Sequence, residues 1–311
     1  MTIPNWTNAQ VIAKLDSGDH WSGSAISYAF PSSGSSLYGT QGERPGFLAV
    51  NASQQAVIRL ALKGWGDLIP QGLVETTSTS SRIEFGYSSS MVDYAHAYYP
   101  TEGSVWFSSV RGQDAENSTT HATVGLFGFT TIMHEIGHAL GLNHMGNYNG
   151  GGNWQPSSYQ DSTVYSIMSY FGPASVEDSA EVAQADWNGA DGVDYSPQTP
   201  MRNDVMAIQS IYGVSTTTRT GNTVYGFGCN ISDSSAAIFD FGVNRNPILT
   251  IFDSDGIDTL DLSGWNTDSI ILLVSGAYSS CNSMTDNIAI AYSCVIENAV
   301  ERMLPKGPLG R

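Results

Sequence analysis

The stretch His134-Glu135-Ile136-Gly137-His138-Ala139-Leu140-Gly141-Leu142-Asn143-His144 constrains this chain more than any other. Its first five residues read H-E-x-x-H. On a helix, positions i and i+4 lie one turn apart on the same face, so His134 and His138 can aim one imidazole nitrogen each at a common metal ion. Glu135 sits about a quarter-turn round the helix, within reach of a water at that metal without being a ligand itself. Two histidines four apart can also merely decorate a helix. The offsets that follow argue otherwise: Gly141 comes three residues after His138, and His144 six after it. A helix continued to position 144 would carry His144 away along the axis. A turn at Gly141, which tolerates positive φ, brings it back. Ile136, Ala139, Leu140 and Leu142 supply the apolar face of the helix.

A methionine turn is expected downstream at Ser166-Ile167-Met168-Ser169-Tyr170. Together the two motifs carry the metzincin signature, and H-E-I-G-H-A-L-G-L-x-H with S-I-M-S-Y resembles the serralysin family of bacterial secreted metalloproteases. The likeness continues in order through Pro197-Gln198-Thr199-Pro200-Met201, Asp204 to Gly213, Thr218 to Phe227 and Ile296-Glu297-Asn298-Ala299. It covers most of the chain, is most specific from Thr131 to Phe227, and is weaker before Asn51. The resemblance implies zinc held by His134, His138 and His144, with Glu135 as general base. It implies Met168 as the hydrophobic floor of the site. Tyr170 becomes a switchable further zinc ligand that leaves the metal on substrate binding and then hydrogen-bonds the developing oxyanion.

Composition narrows the function classes. The chain has 311 residues, a net charge of −17 and only 12 Lys+Arg. Phosphate binding needs a basic surface, so no nucleic-acid partner is expected, and anionic membranes are disfavoured for the same reason. No apolar run approaches 18 residues, so no membrane span is expected. Met1 to Trp6 lacks a basic segment followed by an apolar one, so no Sec signal peptide is read at this start. The resemblance implies a secreted, extracellular protein that leaves the cell through a dedicated exporter. Cys229, Cys281 and Cys294 all lie in the last third, outside the metal motif, and their odd number leaves at least one without a partner in the chain.

Read in order, the pattern is α+β. A short helix is expected around Gln10 to Leu15, then a strand at Ala25 to Phe30 and a Ser/Gly loop over 31–46. A helix starts at Asn51 with Gln54 three residues on, as in a capping box, and Ala56, Val57, Leu60, Ala61 and Gly64 form its apolar face. Strands follow at Arg82 to Tyr87, Tyr94 to Tyr99 and Ser104 to Ser108. In metzincins the strand matching Tyr94, Ala95, His96, Ala97 and Tyr98 is the rim that pairs with substrate backbone. A Gly/Asn/Tyr-rich loop is expected at 146–159, a polar loop over 172–200, and a helix from Asp204 to Tyr212 with Asp204 as a first-turn acid. His20, His96 and His121 have no partners at metal spacing and read as structural or surface residues, with His96 within reach of substrate.

Composition shifts after Gly213 to short strands and turns: Ala236 to Phe241, Ile248 to Phe252, Thr259 to Leu262, Ile270 to Val274 and Ile288 to Tyr292. Two domains are expected, a metzincin catalytic domain over 1–214 and a small β-rich calcium-binding domain over 215–311. The calcium-binding G-G-x-G-x-D-x-U-x repeats of the family do not occur here, and the tail around Leu304 to Leu309 resembles neither a β-roll nor an exporter signal. Asp253-Ser254-Asp255-Gly256-Ile257-Asp258 gathers three carboxylates round a glycine, and calcium takes six to eight oxygen ligands. The resemblance implies one calcium at the carbonyls of Arg219 and Gly221 with Thr223, Asp253, Asp255 and Asp258, and a second at Gly256, Asp258, the carbonyl of Val295 and Glu297. The function expected is that of a monomeric zinc endopeptidase acting on polypeptides through Glu135-activated, zinc-bound water. Two alternatives stay open: a narrow-specificity effector protease, and a calcium-stabilised binding module with a vestigial zinc site.

Overall fold

The computed structural model describes residues 3–77, 80–149, 155–173 and 182–302. Parts of the two loops read at 146–159 and 172–200, and the tail around Leu304 to Leu309, lie outside the described residues. Helix α1 (Asn8–Leu15) opens the fold, started by Thr7, which caps Gln10 N–H while the Gln10 side chain caps Thr7 N–H. The same reciprocal box between Asn51 and Gln54 starts α2 (Ala52–Gly66) as expected. Its buried face differs from the sequence reading. Ile58, Ala61, Leu62 and Trp65 face the core, Val57 and Leu60 pack at its edge, and Ala56 is exposed. The spacing 58-61-62-65 is the i, i+3, i+4, i+7 stripe of an amphipathic helix, and Trp65 carries most of its area.

Six strands form the main sheet: β1 (Ala25–Ala29), β2 (Phe47–Leu48), β3 (Gly72–Glu75), β4 (Ile83–Ser88), β5 (Ala95–Ala97) and β6 (Ser104–Ser108). Their order is β3-β1-β4-β6-β5, with β2 added to β4. The β1·β3, β1·β4 and β4·β6 pairs are parallel, and β5 closes one edge antiparallel to β6, His96 opposite Trp106. All six residues of β4 are buried. Ile83, Phe85 and Tyr87 face the main core, while the 31–46 segment covers the other side, where a Cβ on Gly86 would stand 2.9 Å from Leu37 Cδ2. The rim strand is shorter than Tyr94 to Tyr99: the ladder runs over Ala95–Ala97, with one further backbone bond at each end, Ser108 N to Tyr94 O and Tyr98 N to Ser104 O. Glu102 and Gly103 N–H turning onto Tyr99 O end it.

Helix α3 (Phe127–Ala139) carries the first half of the metal motif and is buried at every position from Gly128 to Ala139. A helix apolar all round belongs in a core rather than on a surface. It packs on α2 through Trp65, whose Nε1 donates to Met133 O at 3.0 Å. Truncating so large a buried side chain costs about 3–5 kcal/mol. Helix α4 (Arg202–Tyr212) completes the lower half, with Tyr212 Oη donating to Leu140 O.

The C-terminal region is β-rich as expected, but its elements are shorter and partly different. Residues read as a strand at Ala236 to Phe241 begin with a one-turn helix, α5 (Ala236–Phe239). Asp233 accepts from Ser235 N and Ser235 Oγ just before it, and the buried pair Ile238 and Phe239 is adjacent rather than alternating. Strands β7 (Val224–Gly226), β9 (Thr259–Asp261) and β12 (Asn298–Val300) stack in parallel in the order β12-β9-β7. Strands β8 (Leu249–Ile251), β10 (Tyr278–Ser279) and β11 (Ile288–Ile290) make a second small sheet. Of Ile270 to Val274, only Ile270 pairs, in an isolated bridge to Ser280. One hydrophobic cluster runs from Val11 in α1 through to Ile296, and Arg219 joins the two regions by a 2.7 Å ion pair to Asp67. Cys229, Cys281 and Cys294 are all free thiols. Among the described residues, no helix is long and apolar enough to cross a membrane.

Candidate metal centre

Helix α3 places His134 and His138 one turn apart, and the chain then breaks at Gly141. Gly141 has φ +102°, and a Cβ there would stand 2.3 Å from Asp19 O. Only glycine fits both the left-handed backbone and the close approach. Leu142 N–H returns to Gly137 O at 2.9 Å, and the reversed chain carries His144 back beside the helix. The three Nε2 atoms then lie 3.1 Å (134–138), 3.0 Å (138–144) and 3.2 Å (134–144) apart.

Each ring is oriented from behind. His134 Nδ1–H donates to Ile167 O at 2.7 Å, His138 Nδ1–H to Leu142 O at 2.6 Å, and His144 Nδ1–H to Tyr148 O at 2.9 Å. A carbonyl only accepts, so each Nδ1 holds the proton and each Nε2 presents a lone pair. Three lone pairs converging at this range repel one another unless a cation stands between them. A tetrahedral zinc ion with bonds of about 2.0–2.1 Å sets its nitrogen ligands about 3.3 Å apart, close to what is seen. Among the described residues, these three are the one group of three or more His, Cys, Asp or Glu whose ligand atoms all lie within 4.8 Å of one another. The donor set therefore fits a zinc-type ion. Burial lowers His134 to about 4 and, with His134 beside it, lowers His144 to about 3; His138 falls well below its ordinary value, first through burial and then through the two other imidazoles. Neutral rings, the form that ligates metal, are thus in place at neutral pH.

Glu135 is 5 % exposed, and its Oε2 has no hydrogen-bond partner among the described residues. Burial alone pushes its carboxyl up to about 8. Next in sequence to His134, a buried carboxyl that holds its proton up to about pH 8 and leaves one oxygen free is suited to exchanging a proton with a partner that arrives from solution, and a cation at the imidazoles would favour its ionised form. Met168 is fully buried under the motif, and a Cβ on Gly137 would meet its Sδ at 2.8 Å, so the glycine between the first two histidines is what lets the methionine pack there. The Tyr170 ring stands beside the cluster, 4.5 Å from His144 and 5.9 Å from His134 between ring centroids.

Among the expected rim residues, Ala95 and Ala97 lie on the open edge of β5. Since Tyr94 O and Tyr98 N bond to β6, alternation turns the peptide groups of 95 and 97 outward. His96 does not face a metal; its Nε2 lies 3.0 Å from Oε1 of the buried Glu43, which also accepts from Tyr98 Oη at 2.6 Å. Tyr94 stacks on Phe127 at 6.0 Å. His20 pairs with Asp16 at 2.7 Å, and His121 lies 3.0 Å from Thr120 Oγ1, so both are structural or surface residues.

The acids read as calcium ligands converge more loosely. Asp258 accepts from Thr223 N and its own N–H donates to Glu297, both at 2.7 Å. Asp253 accepts from Tyr225 Oη at 2.7 Å. A Cβ on Gly256 would stand 2.6 Å from Gly221 O and 2.9 Å from Asp258 Oδ1, so these groups share one corner. Burial, with Asp253 and Glu297 nearby, raises Asp258 to about 6. Asp255 accepts from Gly256 N, and the Arg219 side chain, bonded to Asp67, Tyr225 and Phe252 O, holds the turn whose Arg219 and Gly221 carbonyls are the expected ligands.

Three residues that sequence reasoning missed complete the centre. Tyr99 Oη donates to Asn143 and its ring sits edge-on to His138 at 5.7 Å. Tyr148 and Asp161 back His144. Asp204, read as a first-turn acid, does accept from Met201 N, but it also accepts from Ser166 Oγ and Ile167 N, tying α4 to the methionine turn. Met201–Asp204 and His144–Tyr148 span three and four positions, whereas the bonds of Tyr99 to Asn143, Tyr148 to Asp161 and Asp204 to Ser166 and Ile167 span 13 to 44 and have no periodic spacing that a sequence displays.

Comparisons with known proteins agree with this centre. Residues 91–194 match the family described as metallo-peptidase family M12B reprolysin-like, and residues 214–303 match the peptidase M10 serralysin C-terminal family. The chain is 33 % identical over 268 residues to a serralysin of Photorhabdus sp. (strain Az29), covering 82 % of this chain and 52 % of the relative. It is 35 % identical over 272 residues to serralysin A of Dickeya chrysanthemi, with 82 % and 52 % coverage. A serralysin of Proteus mirabilis is 35 % identical over 274 residues, with 80 % and 52 % coverage. The chain spans about half the length of the curated relatives it matches.

Proposed function

The chain is a homologue of the serralysin metalloproteases, and from that premise we propose that it is a secreted zinc endopeptidase acting on polypeptides. The observation that carries the reading is the convergence of three outward-facing Nε2 lone pairs, 3.0–3.2 Å apart, beside the unpartnered Oε2 of Glu135. His134, His138 and His144 hold the ion. Zinc, when bound, supplies a Lewis acid that makes water a better nucleophile and polarises the peptide carbonyl. Glu135 takes a proton from the attacking water and passes it to the leaving amine. Tyr170, whose ring stands beside the cluster, would join the histidines in holding the ion and would donate a hydrogen bond to the oxyanion. Substrate lies along the open edge of β5, where the peptide groups of Ala95 and Ala97 face outward as an added strand requires. Tyr94, His96 and Tyr98 support that rim. Residues 1–214 form the catalytic domain and 215–311 a β-rich domain, and the chain works as a monomer. One or two calcium ions brace the second domain at the corner formed by Gly221, Thr223, Asp253, Asp258 and Glu297; the raised Asp258, pressed by two other acids, supports a cation there.

The test pairs elemental analysis with casein cleavage by the wild type and by Glu135→Ala. About one zinc per chain in both proteins, with cleavage lost only in the variant, is the expected result. Absence of zinc from the wild type, or undiminished cleavage by the variant, overturns it.

A further inference from the structure

His134 and His138 owe their places to α3, but His144 lies beyond the break at Gly141 and has no helix to hold it. Its main chain is fixed by Asn143 N to Leu15 O at 2.6 Å and by Met145 N to Met168 O at 3.1 Å. The hydrogen bond that orients its ring from behind is Nδ1–H to Tyr148 O at 2.9 Å, and the Tyr170 ring flanks it at 4.5 Å. What holds Tyr148 therefore decides where the third Nε2 points.

Tyr148 is 4 % exposed, and its ring folds back across Gly146, where a Cβ would stand 1.9 Å from Cε1 of that ring and 2.7 Å from Asp161 Oδ2. The far end of the ring is pinned. Tyr148 Oη donates to Asp161 Oδ1 at 2.5 Å and accepts from Tyr170 N at 3.2 Å. Asp161 is fully buried, and it also accepts from Ser169 Oγ on the same oxygen at 2.8 Å and from Ser157 N on the other at 2.9 Å. The Tyr148 ring stacks on Tyr170 at 4.6 Å and lies 5.5 Å from His144. One phenol thus joins the carbonyl behind the third histidine to the backbone of the methionine turn, and one buried carboxylate holds both.

We propose that Tyr148 and Asp161 are a positioning pair that fixes His144 as the third ligand of the metal centre and ties it to Ser169 and Tyr170. The proposal rests on the zinc reading above. Hydrogen-bonded groups behind metal-bound histidines fix the tautomer and ring direction, and losing one typically weakens metal binding about 10- to 100-fold.

The test uses the full chain stripped of metal, with zinc affinity read by competition against a chromophoric chelator. Tyr148→Phe keeps the ring and removes the hydroxyl; Asp161→Asn keeps the shape and turns one acceptor into a donor. Each is compared with the wild type under conditions where urea unfolding shows the metal-free protein fully folded. The expected result is zinc affinity about 10- to 100-fold lower in both, together with an altered visible absorption spectrum of the cobalt-loaded form. A merely structural role would lower the urea midpoint and leave affinity and spectrum unchanged. Wild-type affinity and spectrum in both variants overturn the positioning role while leaving the zinc reading intact. If Asp161→Asn does not fold, Tyr148→Phe decides the matter alone. A wild type that takes up no zinc overturns the zinc reading and the positioning role with it.

Discussion

Asp204→Asn should abolish a pH dependence of stability that the wild type carries between about pH 4 and pH 7. Asp204 has no exposed surface, and burial pushes its carboxyl up to about 7 against the lowering pull of Ser166 Oγ and the N–H groups of Ile167, Met201 and Met168. In the unfolded chain an aspartate titrates near 3.9. Below about pH 4 both states keep the proton and nothing is lost. Between about 4 and 7 the unfolded state releases it and the folded state does not, so stability falls by about 1.4 kcal/mol per pH unit. Above about 7 the slope ends. The shift of roughly three units amounts to about 4 kcal/mol in all, a large fraction of a typical domain's stability. Asparagine mimics the neutral acid and has no such slope. Urea unfolding of both proteins, metal-free, from pH 4 to pH 8 is the assay; taking the difference cancels the groups they share. The wild type should lose ground to the variant by several kcal/mol across that range. A difference constant within about 0.5 kcal/mol would refute the reasoning, since it would mean that Asp204 enters the folded state with its charge state unchanged. The result bears on the site because Asp204 holds Ile167, whose carbonyl orients His134.

Gly141→Ala should destabilise the fold by about 2–4 kcal/mol, because a left-handed backbone costs a non-glycine residue about 1–2 kcal/mol and the new Cβ also meets Asp19 O; urea unfolding measures it, and a loss below about 0.5 kcal/mol would count against the turn. Its zinc affinity should fall as well, since the turn is what returns His144 to the helix. Tyr170→Phe should lower kcat about tenfold or more at unchanged zinc content; steady-state kinetics with an unaltered kcat would remove the oxyanion role. A chelator that takes calcium but is too weak to strip zinc should lower the Tm; an unmoved Tm would reject calcium at the 221–258 corner.

The ligand set was legible before any coordinates because it is local. His144 lies six positions after His138, and over so short a span a left-handed residue, most readily the glycine at 141, returns the third imidazole. The caps at Asn51 and the strand at Ser104–Ser108 were legible for the same reason, since each depends on residues within a few positions. The apolar face of α2 was misread where two helical stripes compete: Ala56 belongs to one and Trp65 to the other, and only packing on α3 chose between them. Ala236–Phe239 went wrong because an apolar run of four carries no reliable period, and the turn at Asp233 decided for helix.

By itself, then, the sequence determined the makeup of the centre: which imidazoles can converge on a cation, which carboxyl stands next to them, and where the chain must turn. Tertiary structure alone decided what holds those atoms still. Tyr148 reaches Asp161 across 13 positions of chain and Asp204 reaches Ser166 across 38, and hydrogen bonds over such distances leave no periodic trace, because they are selected by burial and not by spacing. It also decided that Glu135 Oε2 has no partner among the described residues, for a missing contact is a property of everything packed around a residue and of no residue in particular.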